Sequence, residues 1–390
     1  MKKDVFSLLI ISLAMFLPGS YVWGKSFQQI KREFYRDYSS PDYAKRMEAV
    51  QKVAESGRIE GLKLLVRIVL VKEPDQYVYE ETLRFIKKNF TSKEAMEYLN
   101  SQLAHGNWKS QLGLCRLALM SLNPELEPGL IKALDSSKWQ VRSAAIRALR
   151  VMKSQKAIPF LQKRAKKEKV GRIQGEIQEA LQYIMGSGRN EAEPTGKISL
   201  KTVLRKGGFY GTIYSTRVTF ILDISGSMLE GTEAGKRIDV AKRELIKAID
   251  RLPKKAKFNI IAYNNKVYPW KRRMVPASKS HRKSAARWIS RLSLDPNGMT
   301  ATYDALEYVF KNDKEADTIY LLSDGMPTTG KYTGQHKILE EVKKLNRYRN
   351  LVIHTIAFLA GGSPGEDKQS AADFMKDLAK DNGGKFKHIE

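Results

Sequence analysis

Two different spacings of apolar residues divide this chain. Between residues 27 and 186 the apolar positions recur three and four apart, and that pattern itself returns about every 30 to 33 residues. The clearest unit covers residues 138–165. Val141, Ala144, Ala145, Ala148 and Leu149 line one face of a first predicted helix, and Ile158, Leu161 and Ala165 line a second. Asp135-Ser136-Ser137 precede it with side-chain oxygens suited to an N-cap. Counting back, Ala118, Ile86 and Val53 occupy the place of Ala148; counting forward, Ala180-Leu181 match Ala148-Leu149. One helix pair cannot bury its apolar face alone, so stacked pairs sharing a continuous core are predicted over residues 25–186.

From residue 215 the spacing changes. Residues 217–223 form a short, β-branched, apolar run of the kind that becomes a strand buried on both faces. Further strands are predicted at 258–263, 267–270, 318–322, 351–358 and 385–389, and helices at 238–252, 277–292, 303–310, 338–345 and 371–378. This alternation predicts a parallel sheet with helices on both faces over residues 215–390. Residues 187–214, richer in Gly, Ser, Asn and Glu, read as a linker, although the aromatic stretch 208–215 should pack at the domain's edge. The composition break predicts two regions that fold independently.

The chemistry gathers at predicted strand ends. The first strand closes on Asp223, followed by Ser225 and Ser227 around Gly226. Residues 297–306 place Thr300 in a glycine-containing loop before a helix, and the strand at 318–322 leads to Asp324. Alone, Asp-x-Ser-x-Ser is also what turns and helix caps use. Three such loops at strand ends of an open α/β sheet, however, can converge on one ligand. Carboxylates and hydroxyls are hard oxygen donors, which suits Mg²⁺ or Mn²⁺.

These segments resemble the von Willebrand factor A (VWA) domain with its metal-ion-dependent adhesion site, the MIDAS motif. The resemblance implies a metal set of Asp223, Ser225, Ser227, Thr300 and Asp324, and a Rossmann-like α/β fold. It further implies a mechanism in which a partner's Asp or Glu carboxylate fills an open coordination position on the ion. The loop reads Gly298-Met299-Thr300-Ala301 where many relatives have Gly-Gly-Thr-Asn; the hydroxyl is kept. In the first region, the core Val141-Arg142-x-Ala144-Ala145-x-x-Ala148-Leu149 resembles HEAT repeats, whose extended surfaces usually bind protein. A spacer role for that region is the other reading.

Composition adds bounds. The formal net charge is +27, from 69 Lys and Arg against 42 Asp and Glu, and it is spread over both regions. Such a balance favours anionic partners: acidic proteins, anionic polymers, lipid headgroups or nucleic acid. The densest basic run, Lys271 to Arg287, has only Trp270, Trp288 and His281 as aromatic neighbours, which argues against base stacking. The five histidines stand in no metal-ligand spacing, and neither a phosphate loop nor a Gly-x-Ser-x-Gly elbow is present. No general base is identifiable, so the chain reads as non-enzymatic. Cys115, the only cysteine, sits among leucines and reads as a core thiol.

Residues 1–24 have Lys2 and Lys3, a short apolar run, Pro18-Gly19 and then Val22-Trp23-Gly24, the pattern of a secretory signal peptide. The combined reading is an exported binding protein, periplasmic or secreted, that captures an acidic partner through a divalent metal. The alternative is an envelope protein that holds an anionic polymer or nucleic acid by charge, with the metal only structural. Export predicts a mature chain beginning near Lys25. N-terminal sequencing of the exported protein checks this, and Met1 retained in a membrane fraction would contradict it.

Overall fold

The computed structural model describes residues 25–186, 199–205, 208–360 and 366–390. The predicted signal segment and, within the predicted linker, residues 187–198 and 206–207 lie outside the described residues. The described chain divides into two compact units, one ending at Ala95 and one beginning at Met96. Among the described residues, no helix is long and apolar enough to cross a membrane.

The first unit is helical. Phe27–Tyr38 starts on a capping box in which Ser26 and Gln29 satisfy each other's backbone N–H groups. Tyr43–Glu55 starts on Asp42, and Gln76–Asn89 on Asp75. Ile59–Leu64 runs through a π-helical turn, Leu65–Val69, into Leu70–Lys72. Arg46 ties the unit internally. Its Nε lies 3.2 Å from Glu73 Oε1, and Nη1 donates to the carbonyls of Ser40 and Pro41.

The second unit opens with further helix pairs: Trp108–Ser121 with Glu127–Ala133, Trp139–Val151 with Ile158–Lys167, and then Gly171–Ile184. Arg142 repeats the tie made by Arg46. It pairs with Glu168 at 2.8 Å and donates to the carbonyls of Ser136 and Ser137. Each guanidinium thus holds the loop before its own helix and the carboxylate after the next, so one buried charge fixes both ends of a repeat. The positions matched by repeat counting are all fully buried, Val53 and Ile86 in the first unit and Ala118, Ala148 and Ala180 in the second. Cys115 is also fully buried, and burial pushes its thiol up to about 12.

The rest of the second unit is an α/β domain. Its strands are β1 (Arg217–Asp223), a small hairpin of β2 (Gly231–Thr232) and β3 (Gly235–Lys236), β4 (Lys257–Tyr263), β5 (Val267–Pro269), β6 (Val275–Pro276), β7 (Thr318–Ser323), β8 (Val352–Phe358) and β9 (Phe386–Ile389). The main sheet runs β5-β4-β1-β7-β8-β9, with β6 also on β4. Strands β4, β1, β7, β8 and β9 are parallel, and β5 and β6 are antiparallel. Side chains alternate between two cores. Phe220 and Leu222 face helices Arg237–Asp250 and Lys279–Ser290 through Leu245, Ile249 and Ile289. Ile221 joins the other core, with Leu306, Val309, Val342 and Leu378 from the helices of the second face. The sequence-predicted fold class, helical repeats followed by an α/β domain with a mostly parallel sheet, is the one observed.

Phe209 and Tyr210 are buried in the first core, against Phe358, Phe220 and Tyr320. Helices Trp108–Ser121, Trp139–Val151 and Gly171–Ile184 also pack directly on the amino-terminal edge of the sheet. Arg172 Nη1 donates to the carbonyls of Asp317 (2.7 Å) and Asn350 (3.0 Å), just before β7 and β8. Gly171 and Gly175 let their helix lie against the chain before β1: a Cβ on Gly175 would come within 2.7 Å of the Tyr214 ring. Trp108 meets Tyr348 edge-on, and Lys385 pairs with Glu179. This contact is made by glycines and buried polar groups, so apolar periodicity carries no sign of it.

Because Arg172 is 5% exposed and satisfies two carbonyls, Arg172→Ala should cost about 2–3 kcal/mol. Urea denaturation followed separately in the helical and α/β signals should show both transitions moving together. A loss confined to one of them would mean that the contact does not couple the two regions.

Candidate metal centre

The order of connections reverses between β1 and β7: the chain leaves β1 toward β4 and leaves β7 toward β8. The carboxyl ends of two strands that diverge in this way flank a crevice, the usual ligand position in open α/β sheets. Asp223 closes β1, and Asp324 follows β7. Both are buried.

Short-range bonds fold the first loop around Asp223. Its Oδ1 accepts the Ser225 N–H at 2.8 Å, an Asx-type turn that aims Ser225 back across the strand end. Its Oδ2 accepts from Ser323 Oγ at 2.5 Å and Tyr263 Oη at 3.2 Å. Ser225 Oγ lies 3.1 Å from Ser227 Oγ, and Ser227 Oγ donates to Asp324 Oδ1 at 2.8 Å. Four of the five sequence-predicted residues therefore form one continuous set of oxygens.

The loop that carries Thr300 is tied to the first loop through its backbone. Gly226 N donates to Gly298 O at 2.9 Å, and a Cβ on Gly226 would sit 2.1 Å from Pro296 O, so only glycine permits the approach. On its other side, Thr300 N donates to Thr328 Oγ1 at 2.9 Å, while Thr300 O accepts the Thr328 N–H at 3.0 Å. Ala301 N donates to Asn264 O, beside the end of β4. Thr300 is itself buried.

The electrostatics are those of a crowded anionic pocket. Burial raises the pKa of Asp223, and the Asp324 charge adds to the rise; hydrogen bonds from Ser323 and Ser225 oppose it. Burial likewise raises Asp324, opposed chiefly by the Arg237 guanidinium, whose Nη1 is 2.8 Å from Oδ2. Two desolvated carboxylates that disfavour each other's charge, lined by hydroxyls, are the environment a hard divalent cation relieves. The donors present fit such an ion. Among the described residues there is no group of three or more His, Cys, Asp or Glu placed to hold a metal, so a site here draws on hydroxyls as well.

Sequence reading did not single out Ser323, Tyr263 or Arg237. Ser323 could have been found as the polar residue ending an apolar strand beside Asp324. Tyr263 stands opposite Asp223 only through the β1–β4 register. Arg237, at the start of a helix well separated in sequence, gave no signal.

Residues 216–387 match the family model of the von Willebrand factor type A domain, and residues 96–182 match that of HEAT repeats. Von Willebrand factor A domain-containing protein 3B of Homo sapiens is 27% identical over 178 residues, which cover 45% of this chain and 12% of that protein. Inter-alpha-trypsin inhibitor heavy chain H4 of Homo sapiens is 29% identical over 191 residues, covering 46% of this chain and 18% of that protein. The chain thus spans only a small part of the length of these curated relatives. Among solved structures, proximal thread matrix protein 1 from the mussel byssus with a zinc-occupied MIDAS motif is 14% identical, with a TM-score of 0.33, covering 45% of this chain and 44% of that one.

A carboxylate whose folded pKa is raised costs stability in its ionised form. For Asp223 that cost is absent below the ordinary carboxylate value and grows as pH rises through the folded value. In chelator, Asp223→Asn should therefore be more stable than the unsubstituted chain near pH 8, by about 1 kcal/mol. The advantage should vanish near pH 4. Urea unfolding at the two pH values measures it, and a pH-independent difference would contradict the assignment.

Proposed function

We propose that this chain is an exported, non-enzymatic binding protein that captures an acidic partner through a divalent ion held by Asp223, Ser225, Ser227, Thr300 and Asp324. VWA domains are typically modules of protein interaction and adhesion. The observation that carries the reading is the continuous hydrogen-bonded set Asp223–Ser225–Ser227–Asp324 at the carboxyl ends of β1 and β7, closed by the Thr300 loop.

Mg²⁺ or Mn²⁺ supplies, when bound, an electrophilic position that a partner's Asp or Glu carboxylate can fill. Asp223 and Asp324 contribute the two negative charges, so the loaded site stays close to neutral and keeps its attraction for a further carboxylate. Ser225, Ser227 and Thr300 contribute neutral oxygens, which fix geometry without adding charge. Ser323 and Tyr263 hold Asp223 from behind. The basic surface steers an acidic partner toward the site. The helical repeats add a further surface, and the helices Trp108–Ser121 and Gly171–Ile184 are partly covered by the α/β domain.

One observation favours a charge-driven alternative. Residues 251–294 contain thirteen Lys and Arg and no acidic residue. Part of that charge has a structural use: Arg282 donates to the carbonyls of Ile249 and Leu252, capping the helix Arg237–Asp250. The remainder suits an anionic polymer bound without metal, with an affinity that falls steeply with salt.

Asp223→Ala should abolish Mg²⁺ binding in a calorimetric titration and, with it, partner capture in a pull-down from the native envelope, while the fold persists. Thr300→Ala should weaken capture more than metal affinity. Capture that survives both chelator and Asp223→Ala, yet fades with salt, would replace the metal-dependent reading with the charge-driven one.

A further inference from the structure

Arg237 opens the helix Arg237–Asp250 and is among the largest fully buried side chains of the chain, at 1% exposure. Its guanidinium lies between two acids, 2.8 Å from Asp324 Oδ2 and 2.7 Å from Glu230 Oε2. Its Nε donates to the carbonyl of Ala360 at 2.7 Å, beyond the end of β8. Held from these sides, the cation has one position rather than a range of them.

That position divides the Asp324 carboxylate. Oδ2 faces Arg237, while Oδ1 accepts from Ser227 and points into the oxygen set. Asp223 is held differently, by neutral donors: the Ser225 N–H, Ser323 Oγ and Tyr263 Oη. The two carboxylates thus have unequal needs. Asp324 has a cation within the protein, and Asp223 has hydrogen bonds but no comparable partner charge.

Building on the metal-site reading, we propose that Arg237 is a positioning residue and the site's resident counter-charge. It orients Asp324 so that one oxygen stays with the ligand set. It also neutralises Asp324 when no divalent ion is bound, so the domain keeps its fold metal-free. With Asp223, Asp324 and Glu230 against one guanidinium, the pocket is net negative without the ion and close to neutral with it. The loaded site therefore carries no net negative charge to repel a partner carboxylate. Removing one member of a buried pair strands the other, whereas removing both relieves the problem.

The test is a double-substitution cycle on the full chain, read as thermal midpoints in EDTA and in excess Mg²⁺. Arg237→Met should lower the midpoint in EDTA by roughly 5 °C or more, because it leaves Asp324 buried and unpaired. Mg²⁺ should then raise the midpoint of Arg237→Met by more than it raises that of the unsubstituted chain. Adding Asp324→Asn should cancel most of the loss in EDTA, and Arg237→Lys should fall between.

If Arg237→Met does not fold alone, Asp324→Asn compared with the double variant carries the test. Similar midpoints support the proposal, and a double variant that stays unfolded overturns it. An equal loss from Arg237→Met in both backgrounds overturns it too, since bonds to the Ala360 carbonyl alone would produce that result. An unsubstituted chain that ignores Mg²⁺ in both midpoint and calorimetry would end the metal-site reading and the counter-charge role with it. The comparison in EDTA would still report whether Arg237 and Asp324 are coupled.

Discussion

Two carboxylates buried side by side at the end of a parallel sheet are the constraint around which this α/β domain is arranged. Desolvation and mutual repulsion both disfavour the ionised pair, and the surrounding structure is the set of answers to that cost. Three neutral donors converge on Asp223, and one guanidinium reaches Asp324 from a helix start. The serine hydroxyls bridge the two acids. Each answer comes from a different element (β1, β4, β7 and the helix after the small hairpin), so the pocket exists only when the sheet is in register.

Most of the architecture was legible because it rests on periodicity. Alternation between residues 217 and 223 and between 258 and 263 reports strands covered on both sides, and the return of small or apolar residues at the place of Ala148 reports stacked helices. What periodicity cannot report is a contact made by single polar side chains. Arg237 is invisible for that reason, and so is the seam where Arg172 meets the carbonyls of Asp317 and Asn350. The motif residues themselves stood out by type and order. Their shared hydrogen bonds, and the part played by Ser323 and Tyr263 behind them, depend on strand register that no local pattern encodes.

The seam between repeats and sheet has a different physical character from either core. Burial pushes Arg147 down to about 10, and burial raises Asp317 although Arg172 lies nearby. Glycines at 171 and 175 replace the side chains that would otherwise keep the helix away from Tyr214. A boundary of this kind is specific but depends on exact partner geometry, because stranded charges give little latitude for sliding. It also places the helix Gly171–Ile184 at the pole of the sheet opposite Asp223 and Asp324, since Asp317 and Asn350 stand just before β7 and β8 and the two acids of the pocket close the other ends.

The Thr300 loop is anchored almost entirely through main-chain atoms: Gly298 O to Gly226, Thr300 N and O to Thr328, Ala301 N to Asn264. Met299, between two of those anchors, is 43% exposed, and its own N–H is taken by Asn265. Its side chain therefore bears none of the strain of holding the loop. The rim of the pocket and its floor are in this sense separately heritable. Residue 299 can drift through sequence space, changing what the pocket touches first, while the oxygens beneath it keep their places.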